Sequence, residues 1–455
     1  MNYRPVVVLL VVLTGCATHY DRIQPVRNDF FIGRLDTARE ALLAQQKKHR
    51  NESDVLKLDL AMVELAAGRP QEAERLLRGV RDRFDDFEQK SVAEGAASLI
   101  TDDRTIAYPG EDYEKVLIRA MLALSNLMGD GGDASAYALQ VTEKQSQIAE
   151  KIAEKSKDGD EIDVKLRAEA YKQVALGPYI RAMIAEESPL TLDDAVRARV
   201  QVANWAPDFP TAKSDLQRAQ HEVPIPPGHG VLYVFTLVGK GPVKEQVNAE
   251  ATQASLLIAD RIISAVSPRG LPPTLAPVPI PKVRTSSSRT DMVAVEVEGR
   301  PIGKTATIVD VNMMANLQQE ARYPEILGRA VARRVVKKGA IYAVKEVTDA
   351  QPNSLPSLAL NVVGIAWEAT EQADLRCWSM LPGRIQVLRT ALPAGEHQVV
   401  LQPISYTGAN VGLAAPTRVN ILAGRNTYLL GNFPEDHLVG ELLTNTSPTP
   451  TVVLE

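Results

Sequence analysis

A carboxylate, a guanidinium and an indole fall within one short stretch, Asp374-Leu375-Arg376-Cys377-Trp378. A planar guanidinium can fork onto a carboxylate while a ring packs beside it, so Asp374, Arg376 and Trp378 form the candidate polar anchor of the chain. That chemistry can serve a ligand or the fold itself; an internal ion pair and a buried ring fixing the entry to a strand is the expected use. Other reactive residue types are scattered. His19, His49, His221, His229, His397 and His437 lie far apart, none in H-E-x-x-H or another two-ligand helical spacing, so no metal site is expected. There is no G-x-S-x-G elbow, P-loop or complete G-x-G-x-x-G; Gly239-Lys240-Gly241-Pro242 lacks the third glycine and reads as a turn. Asp85-Asp86 and Asp102-Asp103 have the composition of an acid–base pair, yet adjacent acids usually sit solvated in caps and loops. No catalytic residue and no cofactor are assigned.

The elements that must position the anchor divide the chain in two. Gly33-Arg34-Leu35-Asp36-Thr37-Ala38 and Gly68-Arg69-Pro70-Gln71-Glu72-Ala73 align with a shift of 35 residues. That period is close to the roughly 34 residues of a tetratricopeptide unit, a helical hairpin. Gly33 and Gly68 let the chain turn out of a first helix, and small Ala38 and Ala73 let the second helix approach it closely. Glu111 to Met128 is a further helix, Gly129 to Gly132 a longer turn, and Leu192 to Val202 another amphipathic helix. Gly177-Pro178 reads as a kink or break, and the charged run Glu143 to Lys157 as a solvated helix face. At Pro224-Ile225-Pro226-Pro227-Gly228 the composition shifts, marking a boundary. Val231 to Val238 is β-branched, aromatic and apolar enough for burial on both faces. Helices are expected over Ala249–Val266, Ala315–Val347 and near Leu358–Ala369, with strands over Ile280–Thr285, Met292–Val297, Arg384–Leu392, Glu396–Leu401, Thr417–Leu422 and Thr427–Phe433. The basic stripe of Arg329, Arg333, Arg334, Lys337 and Lys338 is expected to be a solvated face rather than a surface for an anionic partner. The fold class is therefore α+β: a tetratricopeptide-like helical array, then a mixed α/β domain ending in antiparallel strands.

The amino end carries a different chemistry. An apolar run from Val6 to Leu13 ends in Thr14-Gly15-Cys16. It is too short to span a bilayer as a helix, and Arg4 gives it a modest positive flank, as in a signal segment. Leu13-Thr14-Gly15-Cys16 resembles the lipobox of bacterial lipoproteins. The resemblance implies that the Cys16 thiol takes a diacylglyceryl group, that cleavage falls between Gly15 and Cys16, and that acyl chains hold the chain at a membrane. Ala17, rather than an aspartate, after the cysteine implies outer-membrane retention facing the periplasm. With Cys16 acylated, Cys377 has no intramolecular partner and is expected to be a buried thiol. The expected organisation is residues 1–15 signal peptide, 16–27 acylated tether, 28–222 helical array, 228–443 α/β domain and 444–455 mobile tail. A formal charge of -5 and a pI near 5.9 give no basic field for nucleic acid.

Tyr108-Pro109-Gly110-Glu111, the Arg329-Ala330-Val331-Ala332-Arg333-Arg334 helix, and Asp374 to Pro382 leading into Gly395-Glu396-His397 follow one another in an order that resembles a family of bacterial outer-membrane lipoproteins with helical repeats and an α/β carboxy-terminal region. The family brings no catalytic residues with it. The expectation is a non-enzymatic envelope adaptor whose partners are the membrane, through its lipid, and an envelope protein or peptide. The rival expectations are a cell-wall or polysaccharide enzyme, and an accessory of peptidoglycan synthesis or export machinery.

Overall fold

A computed structural model describes residues 18–94, 107–155, 161–264, 276–347 and 372–446. The helices come first: α1 (His19–Phe31), α2 (Leu35–Lys48), α3 (Ser53–Ala66), α4 (Pro70–Glu94), α5 (Asp112–Met128), α6 (Ala134–Lys155), α7 (Glu161–Ala170), α8 (Leu176–Ala185), α9 (Leu192–Trp205) and α10 (Ala212–Gln220). Then follow β1 (His229–Lys240), β2 (Val243–Ala249), α11 (Gln253–Ser264), β3 (Val278–Arg284), β4 (Met292–Val297), β5 (Arg300–Lys304), β6 (Ala306–Asp310), α12 (Val311–Val347), β7 (Pro382–Pro393), β8 (Gly395–Ile404), β9 (Ala415–Ile421), β10 (Asn426–Phe433) and β11 (Leu443–Thr444). The class is α+β, with helices leading and mainly antiparallel sheets following.

Of the segment 16–27 expected to be an acylated tether, the described residues are not a tether but the cap and first turns of helix α1. Thr18 caps it, taking a hydrogen bond from the Asp21 N–H while the Asp21 carboxylate accepts from the Thr18 N–H. Ile23, Val26, Phe30 and Phe31 form a buried stripe at helical spacing. Pro25 sits inside the helix on an exposed position. A proline there costs about 3 kcal/mol, and burying four large apolar side chains at roughly 1.5–3 kcal/mol each outweighs it. Similarly, Gly177 and Pro178 do not break a helix but open α8, where a proline forfeits no intrahelical bond. A Cβ on Gly177 would press against the Ala138 carbonyl, so the glycine sets how closely α8 crosses α6.

Three sheets form. β11-β10-β1-β7-β6 is the largest, with β1 parallel to β10 and antiparallel to β7; β5-β4-β8-β9 is wholly antiparallel; β2 and β3 pair as a ribbon. Strand β1 explains the layering through its period of two. Val231, Tyr233, Phe235 and Leu237 face the helices and join one core with Phe30, Leu58, Leu117 and Leu124. Leu232, Val234 and Val238 face the other way, onto Val293, Val295, Val399, Leu401 and Val419 of the four-stranded sheet. The order is helices, five-stranded sheet, four-stranded sheet. A third cluster packs α11 and α12 on the ribbon through Ile262, Ile263, Ile280, Leu327 and Val331. One core thus runs continuously across the Pro224–Gly228 boundary. Of the segment expected to be a mobile tail, Thr444 pairs with Leu429 of β10, and residues 447–455 lie outside the described residues. The helix expected near Leu358–Ala369 also lies outside them.

Candidate functional site: a buried clasp and an open charged groove

The stretch from Gln372 to Leu381 has no regular secondary structure and is threaded between the helices and β1. Besides the Gly241 N–H, which donates to the Leu381 carbonyl at 2.8 Å, side chains supply partners for its backbone, as buried backbone groups require. Glu114, on α5, accepts from the Trp378 N–H at 2.7 Å and from the Tyr108 hydroxyl at 2.7 Å. Asp59, on α3, accepts from the Met380 N–H and the Ser379 hydroxyl, both at 2.9 Å. Arg27, on α1, donates to the carbonyls of Ser379 (2.8 Å) and Gly241 (3.0 Å). Three helices of the array thus grip one peptide strand of the carboxy-terminal half.

The sequence-level anchor residues lie inside this clasp. Arg376 forks onto Asp374 with Nε at 2.9 Å and Nη2 at 2.8 Å, donates through Nη1 to the Asn51 carbonyl at 3.1 Å, and stacks 5.3 Å from the Tyr108 ring centre. Trp378 is fully buried. Burial pulls the Asp374 carboxyl upward, but the Arg376 hydrogen bonds and charge outweigh it and hold the group below the usual carboxylate range. The ion pair is internal, as an anchor for the fold would be.

Electrostatics differ sharply among the neighbouring acids. Asp59 is wholly enclosed, and burial pushes its pKa up to about 7 despite its two donors and the nearby Arg27. Glu114 is likewise raised by burial. Glu111 is a quarter exposed, and the charges of Lys244 and Arg322 override its partial burial and bring it down to about 2. Cys377 is a buried free thiol that burial pushes up to about 12, so it stays protonated and inert.

The remaining sequence candidates go elsewhere. Gly33 and Gly68 adopt φ of +82° and +76°, the left-handed turn that glycine favours, and Ala38 and Ala73 are fully buried between helices. A Cβ on Gly68 would meet the Glu441 carboxylate, and one on Gly440 would overlap the Ala66 carbonyl, so the second turn is also where Gly440–Glu441 docks. His397 is on β8, with Nε2 2.8 Å from the Pro393 carbonyl, and makes no hydrogen bond to the clasp among the described residues. His19 Nδ1 lies 2.9 Å from Glu52. Among the described residues no group of three or more His, Cys, Asp or Glu could hold a metal ion. Cys16 with the segment before it, and Asp102-Asp103, lie outside the described residues.

Sequence reasoning did not find the groove over α4, α5 and α6, an open depression of about 630 Å³. Asp85 is held by Arg119 (2.6 Å) and Lys144 (2.8 Å), and Glu88 by Lys115 (2.8 Å), Lys144 (2.9 Å) and Lys151 (3.2 Å). These cations outweigh burial and bring Glu88 down to about 2. Lys144 belongs to the run expected to be solvated, but its side chain is only 4% exposed. The missed signal is the pairing of Asp85 and Glu88, three apart on α4, with Lys144 and Lys151, seven apart on α6. Those spacings place each pair on one helix face. On α12, Arg334 is turned inward and donates to the carbonyls of Ala276 (3.1 Å) and Pro277 (2.6 Å), which removes it from the expected solvated stripe. Side chains of Lys337 and Lys338 lie outside the described residues.

No protein-family model matches this chain, and neither the curated proteins nor the solved structures contain a match to it. Among the described residues no helix is long and apolar enough to cross a membrane.

Proposed function

We propose that this chain is a lipid-anchored envelope adaptor, tethered through Cys16 to the outer membrane and facing the periplasm. Its helices act as a tetratricopeptide-like array that binds an envelope protein or peptide without transforming it. The groove over α4–α6 is the observation that carries this reading. It combines a surface large enough for several side chains with charges of both signs whose partners a peptide could exchange, whereas the clasp has every acceptor occupied inside the core. The α/β half braces the array through Asp59, Glu114 and Arg27.

A deletion of the array would expose the helix-facing side of β1, so the test uses point changes. A photo-crosslinking residue placed at Gln147 or Gln140 in the groove should form a discrete adduct in intact cells, lost on Lys151→Glu. The same residue at exposed Lys213 on α10 should form none. Equal labelling from all three positions would refute groove binding.

A further inference from the structure

The first hairpin fixes which surface lies next to the anchored end. Helices α1 and α2 are about 20 Å and 21 Å long and fold back on each other across Ile32–Arg34, so the start of α1 lies level with the end of α2. Glu52, just after α2, confirms the alignment: its Oε2 is 2.9 Å from His19 Nδ1, and its other oxygen pairs with Arg22. Position 16 is two residues before Thr18, and two residues reach at most about 7 Å. Acyl chains on Cys16 would therefore enter a bilayer close to this end.

That end carries uncompensated positive charge. Lys47 and Lys48, in the last turn of α2, and Arg50, in the 3-10 turn that follows, are all exposed, and none pairs with a carboxylate among the described residues. The neighbouring acids are committed elsewhere. Glu52 holds His19 and Arg22, Asp21 folds onto Thr18, and Asp54 is held by Arg83 at 2.8 Å with Lys57 at 3.5 Å.

We propose that Lys47, Lys48 and Arg50 form a headgroup-binding surface that seats the first hairpin on anionic phospholipid of the leaflet holding the acyl chains. The inference rests on the reading of Cys16 as the lipid-attachment residue and adds an orientation to it. A cation beside an anionic membrane gains about fivefold in local partition, an effect that fades over roughly 8 Å at physiological salt, so only residues beside the anchor benefit. Seating this end down points the carboxy end of α1, the Gly33 turn and the start of α2 away from the bilayer. Lysines at a helix carboxy terminus also complement the helix dipole, but that role does not depend on the membrane.

The test uses the full acylated chain, extracted in detergent and reconstituted into vesicles of phosphatidylcholine alone or mixed with phosphatidylglycerol. After brief amine acetylation, Lys47 and Lys48 should be modified several-fold more slowly in the anionic vesicles than in the neutral ones or in detergent, with Lys213 unchanged. High salt, or the double change Lys47→Glu and Arg50→Glu, should abolish the protection of Lys48. Equal modification of Lys47 and Lys48 in both vesicle types, on a chain that floats with them, would overturn the seat and leave the anchor intact. A chain lacking acyl groups that floats with neither vesicle would overturn both.

Discussion

The helical array shows two faces built from the same residue types and put to opposite uses. Toward the sheet, Asp59 and Glu114 spend their oxygens on backbone N–H groups and hydroxyls, and burial raises both pKa values. Toward solvent, Asp85 and Glu88 are each shared by several cations, which hold both below the usual carboxylate range against the pull of burial. A directional hydrogen bond to a fixed peptide specifies one geometry. Of the cations that hold Asp85 and Glu88 only Lys151, at the rim, is half exposed, and its pair with Glu88 is less directional and more readily exchanged than a bond to a fixed peptide. The difference separates the face that holds the molecule together from the face open to solvent.

The largest effect should come from cutting the clasp. Glu114→Ala strands the Trp378 N–H, the Glu111 N–H and the Tyr108 hydroxyl in the core, and denaturant unfolding should show a loss of about 4 kcal/mol. A loss below about 1 kcal/mol would mean the two halves do not depend on this grip.

Next in size is a pH effect at Asp59. Its folded pKa, about 7, lies above the ordinary aspartate value of 3.8, so as pH rises the unfolded chain releases its proton first. Stability therefore declines between about pH 4 and pH 7 and is flat above, by on the order of 4 kcal/mol. Asp59→Asn keeps an acceptor for the Met380 N–H and cannot ionise, so unfolding curves of the variant and the native chain should converge near pH 4 and separate by pH 8. Parallel curves would contradict the assignment. Glu52, Glu88 and Glu111, each held near 2, act in the opposite sense: their contribution is present above about 4.5 and is lost as pH falls through 2.

Smaller again is the contrast between two turns. Gly440→Ala forces a Cβ into the Ala66 carbonyl and should cost about 2 kcal/mol or more, whereas Gly33→Ala has open space around it and should cost only the left-handed strain, about 1 kcal/mol. Equal thermal shifts would show that the contact between Gly440 and α3 adds nothing. The smallest stability change belongs to the groove. Lys151→Glu alters a half-exposed pair and should move stability by less than about 0.5 kcal/mol while removing the crosslinked partner.

Much of this was legible in the sequence because it was local. Met292–Val297 is a strand over the expected residues, β1 is buried on both faces as its composition implied, and Gly33 and Gly68 turn where their spacing suggested. Asp374 and Arg376 are two residues apart, so their ion pair could be read as a possibility from the chain alone. What could not be read depends on distant partners. Asp59 and Glu114 lie more than 260 residues before the backbone they hold, and each stands in an ordinary helical pattern. The tether expected over residues 16–27 failed for the same reason: the cost of Pro25 in a helix is local, but the burial of Ile23 and Phe30 that offsets it depends on the packed structure. The parallel pairing of β1 with β10 and the stacking of the two larger sheets are also nonlocal.

The central claim is that acyl chains on Cys16 hold the body against a membrane. The most direct measurement is the mass of the amino-terminal peptide from protein recovered from its native membranes, with Cys16→Ser as the control. The account predicts a peptide beginning at Cys16 and heavier by a diacylglyceryl group and a fatty acid, absent from the control. An unmodified thiol, or a leader still attached to a freely soluble chain, would contradict it.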